Sequence, residues 1–240
     1  MLTVDVCYSP ELLHLYNLQG RVVVVVDILR ATSSMVTAFA HGVEKMVPVS
    51  KLQECMAYRK KGFLTAAERD GQKAEGFDLG NSPFSYMDES IQGKAIAITT
   101  TNGTQAIRLS ISADTVVIGS FLNISAVARF VQMQQKSVII VCAAWKGKFN
   151  LEDTLFAGAL IEKLGSEYEP ENDATLGANV IWEAAKADRR AFLENSSHVK
   201  RLARLDIVKD VDFCLQDDVY DVVPVWQGAY LTKAMPVLVD

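Results

Sequence analysis

Asp27, Arg30, Thr32, Ser33 and Ser34 follow directly on five consecutive valines, in the stretch "VVVVVDILRATSS" at 22–34. An aspartate there can ligate a hard cation, and an arginine can grip an oxyanion with both arms of its fork. The hydroxyls and the free N–H groups of a helix start can complete an anion pocket. The same residues also suit a structural role, with Thr32, Ser33 or Ser34 capping a helix and Asp27 or Arg30 in an ion pair.

Three more stretches carry comparable chemistry. "ITTTNGTQAI" (98–107) sets Thr100, Thr101, Asn102, Gly103 and Thr104 between an apolar run and a helical pattern. An isolated Asn-Gly could turn a hairpin, but the helical sequence that follows favours a hydroxyl-rich anion loop. Neither G-x-x-x-x-G-K nor G-x-G-x-x-G occurs, so nucleotide binding has no support. "AERDGQKAEGFDLGNSP" (67–83) carries Glu68, Arg69, Asp78, Asn81 and Ser82 among glycines, either as a site loop or as a solvated surface loop. "CAAWKGKFNLED" (142–153) offers Glu152 and Asp153 for ligand or metal contact. A capping box, in which Asn150 caps and Asp153 reaches back, competes with that reading. Trp145, Lys146 and Lys148 read as a mobile rim or as an ordinary exposed loop.

The elements that must position these residues follow from periodicity. "RVVVVVDIL" is a continuous apolar run, as suits a strand covered on both faces, and "SSMVTAFAHG" reads as a helix ending at Gly42. "VEKMVPVS" is a short strand that Pro48 places at an edge or at a strand end. A helix in "SKLQECMAYRKKG" and a strand in "FLTAAE" precede a long loop from Arg69 to Met87. The second half alternates in the same way. "KAIAITT", "TVVIGS" and "SVIIVCAA" read as strands, and "GTQAIRLSIS", "NISAVARFVQMQ" and "LEDTLFAGALIEKLG" as helices. One helical tract, "DATLGANVIWEAAKADRRAFLENSSH", precedes short-strand material in "VVPVWQGAYLTKAM". The expected class is α/β, layered α/β/α with a mixed, largely parallel sheet. Residues 1–240 read as a single domain, and a subdivision into two lobes stays open. In such sheets ligands collect at the carboxyl ends of the strands, where Asp27–Ser34 lies.

Composition limits the partners. The 240 residues are 50% hydrophobic and 22% charged, with 24 basic and 29 acidic residues well mixed. That mixture lacks the basic stripe of a nucleic-acid or anionic-membrane binder, and no stretch approaches the roughly 20 apolar residues of a membrane span. The start, "MLTVDVCYSP", has no leader character, so the chain is expected in the cytoplasm. Cys7, Cys55, Cys142 and Cys214 are scattered without a C-x-x-C pair and read as reduced core thiols.

Taken together and in order, "VVVVVDILRATSSMVTA", "AERDGQKAEGFDLGNSP", "ITTTNGTQAI" and "CAAWKGKFNLEDTLFAGAL" resemble the motifs of the 2-phosphosulfolactate phosphatase family. "SSHVKRL" and "DVDFCLQDDVYDVVP" resemble its C-terminal motifs, so the likeness runs from about Val22 to Pro224. The chain departs from the family pattern in two places. Asp70-Gly71 replaces a glycine pair, and Val199 replaces a glycine after His198. These departures bear on substrate identity more than on phosphatase chemistry.

The resemblance implies magnesium-dependent hydrolysis of 2-phosphosulfolactate to 3-sulfolactate and phosphate, of the kind used in coenzyme M biosynthesis. A phosphatase for another small phosphorylated carboxylic acid, or a non-catalytic regulatory protein that binds phosphate esters, is the alternative. The implied partner is a small anionic phosphorylated substrate, with no nucleic acid or membrane, and a homodimer is the possible assembly. Asp27, Glu68 and Arg30 are the implied catalytic residues, with Asp27, Glu68 and Asp153 toward Mg2+. Arg30, Thr32, Arg69, Asn81 and Ser82 are implied to hold substrate oxygens, with Thr100, Thr101, Asn102 and Gly103 as a second cradle. Leu29 stands where an aspartate-nucleophile phosphatase has its second aspartate, which favours direct attack by a metal-bound water. His198 and Asp212 fall in family-like motifs. Taken alone, His198 reads as a surface or capping residue rather than as a general acid.

Overall fold

The computed structural model describes residues 1–234. Among the described residues eleven strands form one sheet: β1 (Leu2–Cys7), β2 (Val22–Val26), β3 (Lys45–Pro48), β4 (Leu64–Arg69), β5 (Gln72–Lys73), β6 (Ala95–Thr99), β7 (Thr115–Gly119), β8 (Val138–Cys142), β9 (Tyr168–Pro170), β10 (Pro224–Gln227) and β11 (Tyr230–Lys233). Their order across the sheet is β5-β4-β6-β3-β11-β10-β7-β2-β8-β1-β9. β2 sits between β7 and β8, parallel to both, with Val24 level with Val117 on one side and Ile140 on the other.

The five valines of β2 are fully buried, and alternate ones enter different cores. Val22, Val24 and Val26 pack with Phe121, Leu155 and Phe156 on one face, while Val23 and Val25 pack with Met35, Phe39 and Ile107 on the other. A strand whose side chains alternate between two dry faces must be apolar at every position, which explains the unbroken run. Helices α1 (Ala31–Ala40), α2 (Leu52–Ala57), α3 (Gly103–Ser110), α4 (Ile124–Gln134), α5 (Leu151–Leu164) and α6 (Asp173–Ala185) alternate with the strands along the chain. The expected layered α/β class is the observed one.

The C-terminal strands differ from the simple alternating plan. β10 and β11 form an antiparallel hairpin inserted between two parallel groups, touching β7 at Val225–Val117 and β3 at Leu231–Met46. Pro48 ends β3 without making it an edge, because β3 lies between β6 and β11. The tract read as one helix is three: α6, α7 (Arg189–Leu193) and α8 (Ser197–Ala203). Asp188 and Ser196 accept the first free N–H groups of α7 and α8 and so restart the helix twice. Helix α9 (Val208–Cys214) follows. Among the described residues no helix is long and apolar enough to cross a membrane.

Candidate active site

At the carboxyl end of β2 the chain leaves the sheet through Asp27, and four other connections converge on the same edge. They follow β4, β6 and β8 and include α8. Asp27, Arg30, Glu68, Asn81, Thr101 and Asn102 line one small cavity there, closed by Trp145, His198 and Arg201.

The turn after β2 is held by its own polar groups. The Asp27 N–H donates to Thr32 Oγ1 at 3.0 Å, the Ser33 hydroxyl donates to the Ile28 carbonyl at 2.9 Å, and the Ser34 hydroxyl donates to the Asn81 carbonyl at 2.8 Å. The hydroxyls therefore do not cap α1 from its N-terminus. Arg30 is the residue before the helix, and Asp27 Oδ1 accepts from the Ala31 N–H at 3.4 Å. Thr32 is fully buried and serves the turn rather than the cavity wall.

Glu68 is aimed by two loops. Its Oε1 accepts from the Gly71 N–H at 2.6 Å, and Oε2 accepts from the Thr101 hydroxyl at 3.2 Å. Asp70 and Gly71 form the turn between β4 and β5, with φ of 53° and 87°. Left-handed backbone at both positions suits Asp-Gly as well as it would a glycine pair. Val199, the residue after His198, is buried in the core. Arg69 folds back onto β6, donating to the Glu68 carbonyl at 2.5 Å and to Thr99 Oγ1 at 3.1 Å, and does not line the cavity.

The "TTTNG" loop begins α3. Thr100 Oγ1 accepts from the Thr104 N–H at 3.2 Å, and Asn102 Oδ1 accepts from the Lys146 N–H at 3.2 Å. Gly103 lies against the carboxylate, since a Cβ built there would stand 2.9 Å from Asp27 Oδ2 and 2.8 Å from Ala31 Cβ. Thr101 and Asn102 face the cavity, whereas Thr100 and Gly103 shape it from behind.

Asp153 is fully buried and spends its oxygens on two backbone N–H groups and one side-chain amide. Oδ1 accepts from Ile28 N–H at 2.8 Å, and Oδ2 accepts from Ala144 N–H at 3.3 Å and Asn150 Nδ2 at 3.0 Å. It ties the ends of β2 and β8 together in place of the capping box, because Asn150 makes no side-chain cap to α5. Glu152, its neighbour, is the residue that turns toward the site and pairs with His198 Nδ1. Arg30 pairs with Asp210 on α9 and donates to the Gly71 carbonyl at 2.6 Å, while the Ser82 hydroxyl also donates to Asp210. Asp212 faces away and pairs with Arg190 at the surface.

Burial pushes the Asp27 carboxyl up to about 6. His198 and the Ala31 N–H oppose this, and the negative charges of Glu68 and Glu152 add to it. Burial, then Asp27 and Glu152, push Asp153 well above the usual carboxylate range. Crowded buried carboxyls of this kind are relieved by a proton or by a cation. Among the described residues no three His, Cys, Asp or Glu side chains form a metal cluster on their own. A magnesium site ordinarily uses one or two carboxylates, completed by water and substrate phosphate. Asp27 and Glu68 line the cavity and could supply that pair, and Asn81 Oδ1, buried without a hydrogen-bond partner, is a further oxygen that could complete it. The donor set fits a hard divalent ion.

Arg201 and Asp210 were not singled out in the sequence. The spacing of His198 and Arg201, three apart on α8, places both on one helix face and could have suggested the former.

The 2-phosphosulpholactate phosphatase family model matches residues 7–229. A Thermotoga petrophila protein named "Probable 2-phosphosulfolactate phosphatase" is 41% identical over 97% of this chain and 100% of its own length. Proteins of the same name from Thermotoga maritima and Caldanaerobacter subterraneus are 39% and 41% identical, covering 97% and 87% of this chain and 100% and 88% of their own. With the matched range spanning every segment that lines the cavity, the chain belongs to the 2-phosphosulpholactate phosphatase family.

Proposed function

We propose that this protein hydrolyses the phosphate ester of 2-phosphosulfolactate, giving 3-sulfolactate and inorganic phosphate, and that it needs magnesium to do so. The observation that carries the reading is the convergence of Asp27 and Arg30, from the turn after β2, with Glu68, from the end of β4, on one cavity at the sheet's carboxyl edge. Phosphoryl transfer demands charge neutralisation and positioning above all. Asp27 and Glu68 would hold the cation, which when bound would neutralise phosphate charge and acidify water. Arg30, fixed by Asp210, keeps N–H groups beyond the two it uses and faces the cavity as a phosphate donor. Water attacks phosphorus, the ester P–O bond breaks, and the leaving oxygen takes a proton. His198, oriented through Nδ1 by Glu152, stands at the cavity wall to deliver that proton. Membership of coenzyme M biosynthesis belongs to the same proposal and rests on the family alone.

The test is phosphate release from 2-phosphosulfolactate, 2-phospholactate and phosphoglycolate with magnesium and with excess chelator. Release with magnesium and none with chelator supports the reading. Binding of the esters by calorimetry without any release would instead establish a non-catalytic anion receptor.

A further inference from the structure

Beside the carboxylate cavity lies a second chamber of about 450 Å³, and Trp145, His198 and Arg201 belong to the walls of both. Its other polar contributors include Lys148 and Arg204. Its walls carry basic side chains and, among the described residues, no carboxylate, whereas those of the first chamber mix Asp27 and Glu68 with Arg30.

Arg201 is built to be available. Its guanidinium lies over the Trp145 ring, with Cζ 4.1 Å from the ring centroid. Arg21, Arg30, Arg59, Arg129, Arg189 and Arg190 are each matched to a carboxylate, but Arg201 has no ion pair among the described residues. Its Nε is buried with no hydrogen-bond partner. A guanidinium held by stacking rather than by a carboxylate keeps its fork for an incoming anion. Trp145 is itself fixed. Its N–H and carbonyl exchange hydrogen bonds of 2.9 and 3.0 Å with Lys148 across a two-residue turn, in which Lys146 and Gly147 have φ of 51° and 74°. This is a tight hairpin tip that presents an indole to the site rather than a loose rim.

We infer that this chamber, with Arg201 on Trp145 as its anchor, is the subsite for the substrate's second strong anion, a sulfonate on the carbon next to the one that bears the phosphate ester. The inference rests on the phosphatase reading and specifies what distinguishes the substrate. A sulfonate offers three acceptor oxygens, and Arg201, Lys148 and Arg204 offer donors around one space. Because Arg201 and His198 form the common wall, a three-carbon molecule can place its phosphate on one side and its sulfonate on the other. The competing role for Arg201 is to balance the charge of Asp27, Glu68 and Glu152, all of which lie within its field. A charge-balancing residue would affect every phosphate ester alike.

The experiment compares kcat/KM for 2-phosphosulfolactate with that for 2-phospholactate, which carries a methyl group in place of the sulfonate arm. The wild-type protein should prefer the sulfonated ester, and Arg201→Gln should lower that preference ratio by roughly thirtyfold or more, the scale of lost hydrogen bonds to a charged group. Lys148→Gln, at an exposed position that does not threaten folding, should lower it by a smaller factor in the same direction. An equal loss on both esters, leaving the ratio unchanged, would overturn the assignment. If neither ester is turned over, the phosphatase reading falls. The subsite is then decided by calorimetric titration with 3-sulfolactate, where weaker binding by Arg201→Gln supports it and equal binding removes it.

Discussion

Arg30 and Asp210 lie 180 residues apart in the chain and form an ion pair in which both side chains are nearly buried, at 5% and 9% exposure. Asp210 also accepts from Ser82, so one carboxylate joins the β2 turn, the long loop after β5 and helix α9. The pair sets the direction of the guanidinium and closes one side of the site.

Removing one partner of such a pair strands a buried charge, with a cost of about 3–5 kcal/mol. Asp210→Ala should therefore lower the unfolding free energy on that scale, measured by denaturant titration. A double variant, Arg30→Met with Asp210→Leu, should regain much of the stability while remaining inactive. Recovery of activity in the double variant would show that Arg30 is structural only.

Asp27 links pH to stability in the metal-free protein. Its carboxyl ordinarily titrates at 3.8 and in the fold titrates near 6. The folded state therefore binds the proton more tightly, and the Asp27 contribution to stability falls as pH rises from about 4 through 6. Asp27→Asn escapes this loss. Relative to wild type it should gain stability between pH 4.5 and 7.5 in chelator, by up to about 3 kcal/mol. Its turnover with magnesium should fall at least about a hundredfold. A variant less stable than wild type at pH 7.5, with near-normal kcat, would mark Asp27 as a structural partner instead.

Gly103→Ala tests the packing of the anion loop against the carboxylate. The added methyl would meet Asp27 Oδ2 and Ala31 Cβ at under 3 Å, so one of them must move. Overpacking of this kind costs about 1–3 kcal/mol. The expected outcome is a moderate loss of stability together with a kcat defect larger than that of a core variant of equal stability, such as Ile107→Val. Equal kcat in the two would separate Gly103 from the site.

All four cysteines are free and buried. Burial raises the Cys7 and Cys55 thiols to about 11 and Cys214 to about 12, and it lifts Cys142 well beyond its ordinary value. The folded protein should resist a thiol reagent at pH 8, and the denatured protein should titrate four thiols. Rapid reaction of Cys142 in the fold would reveal a nucleophile beside the site.

Much of the positioning framework was legible locally. The valine run, the helix after Asp27 and the strand before Thr100 each carry their own period. The helix following Asn102 likewise distinguishes an anion loop from a hairpin without any tertiary information. Less was legible where short elements depend on distant partners. β1 is held by β8 and β9, and the β10–β11 hairpin gains its place only by joining two strands already set by others.

The sequence by itself determined the α/β alternation, the two-faced burial of β2 and the set of carboxylates, arginines and hydroxyls from which a site could be drawn. Which members of that set meet was decided by tertiary structure. Glu152 turns to His198 while Asp153 binds backbone, and Asp210 reaches Arg30 while Asp212 reaches Arg190. Neighbouring acidic residues have the same chemistry. What separates them is the rotation of each helix about its axis, and that rotation is set by the apolar side chains the helix must bury against a sheet assembled from remote segments.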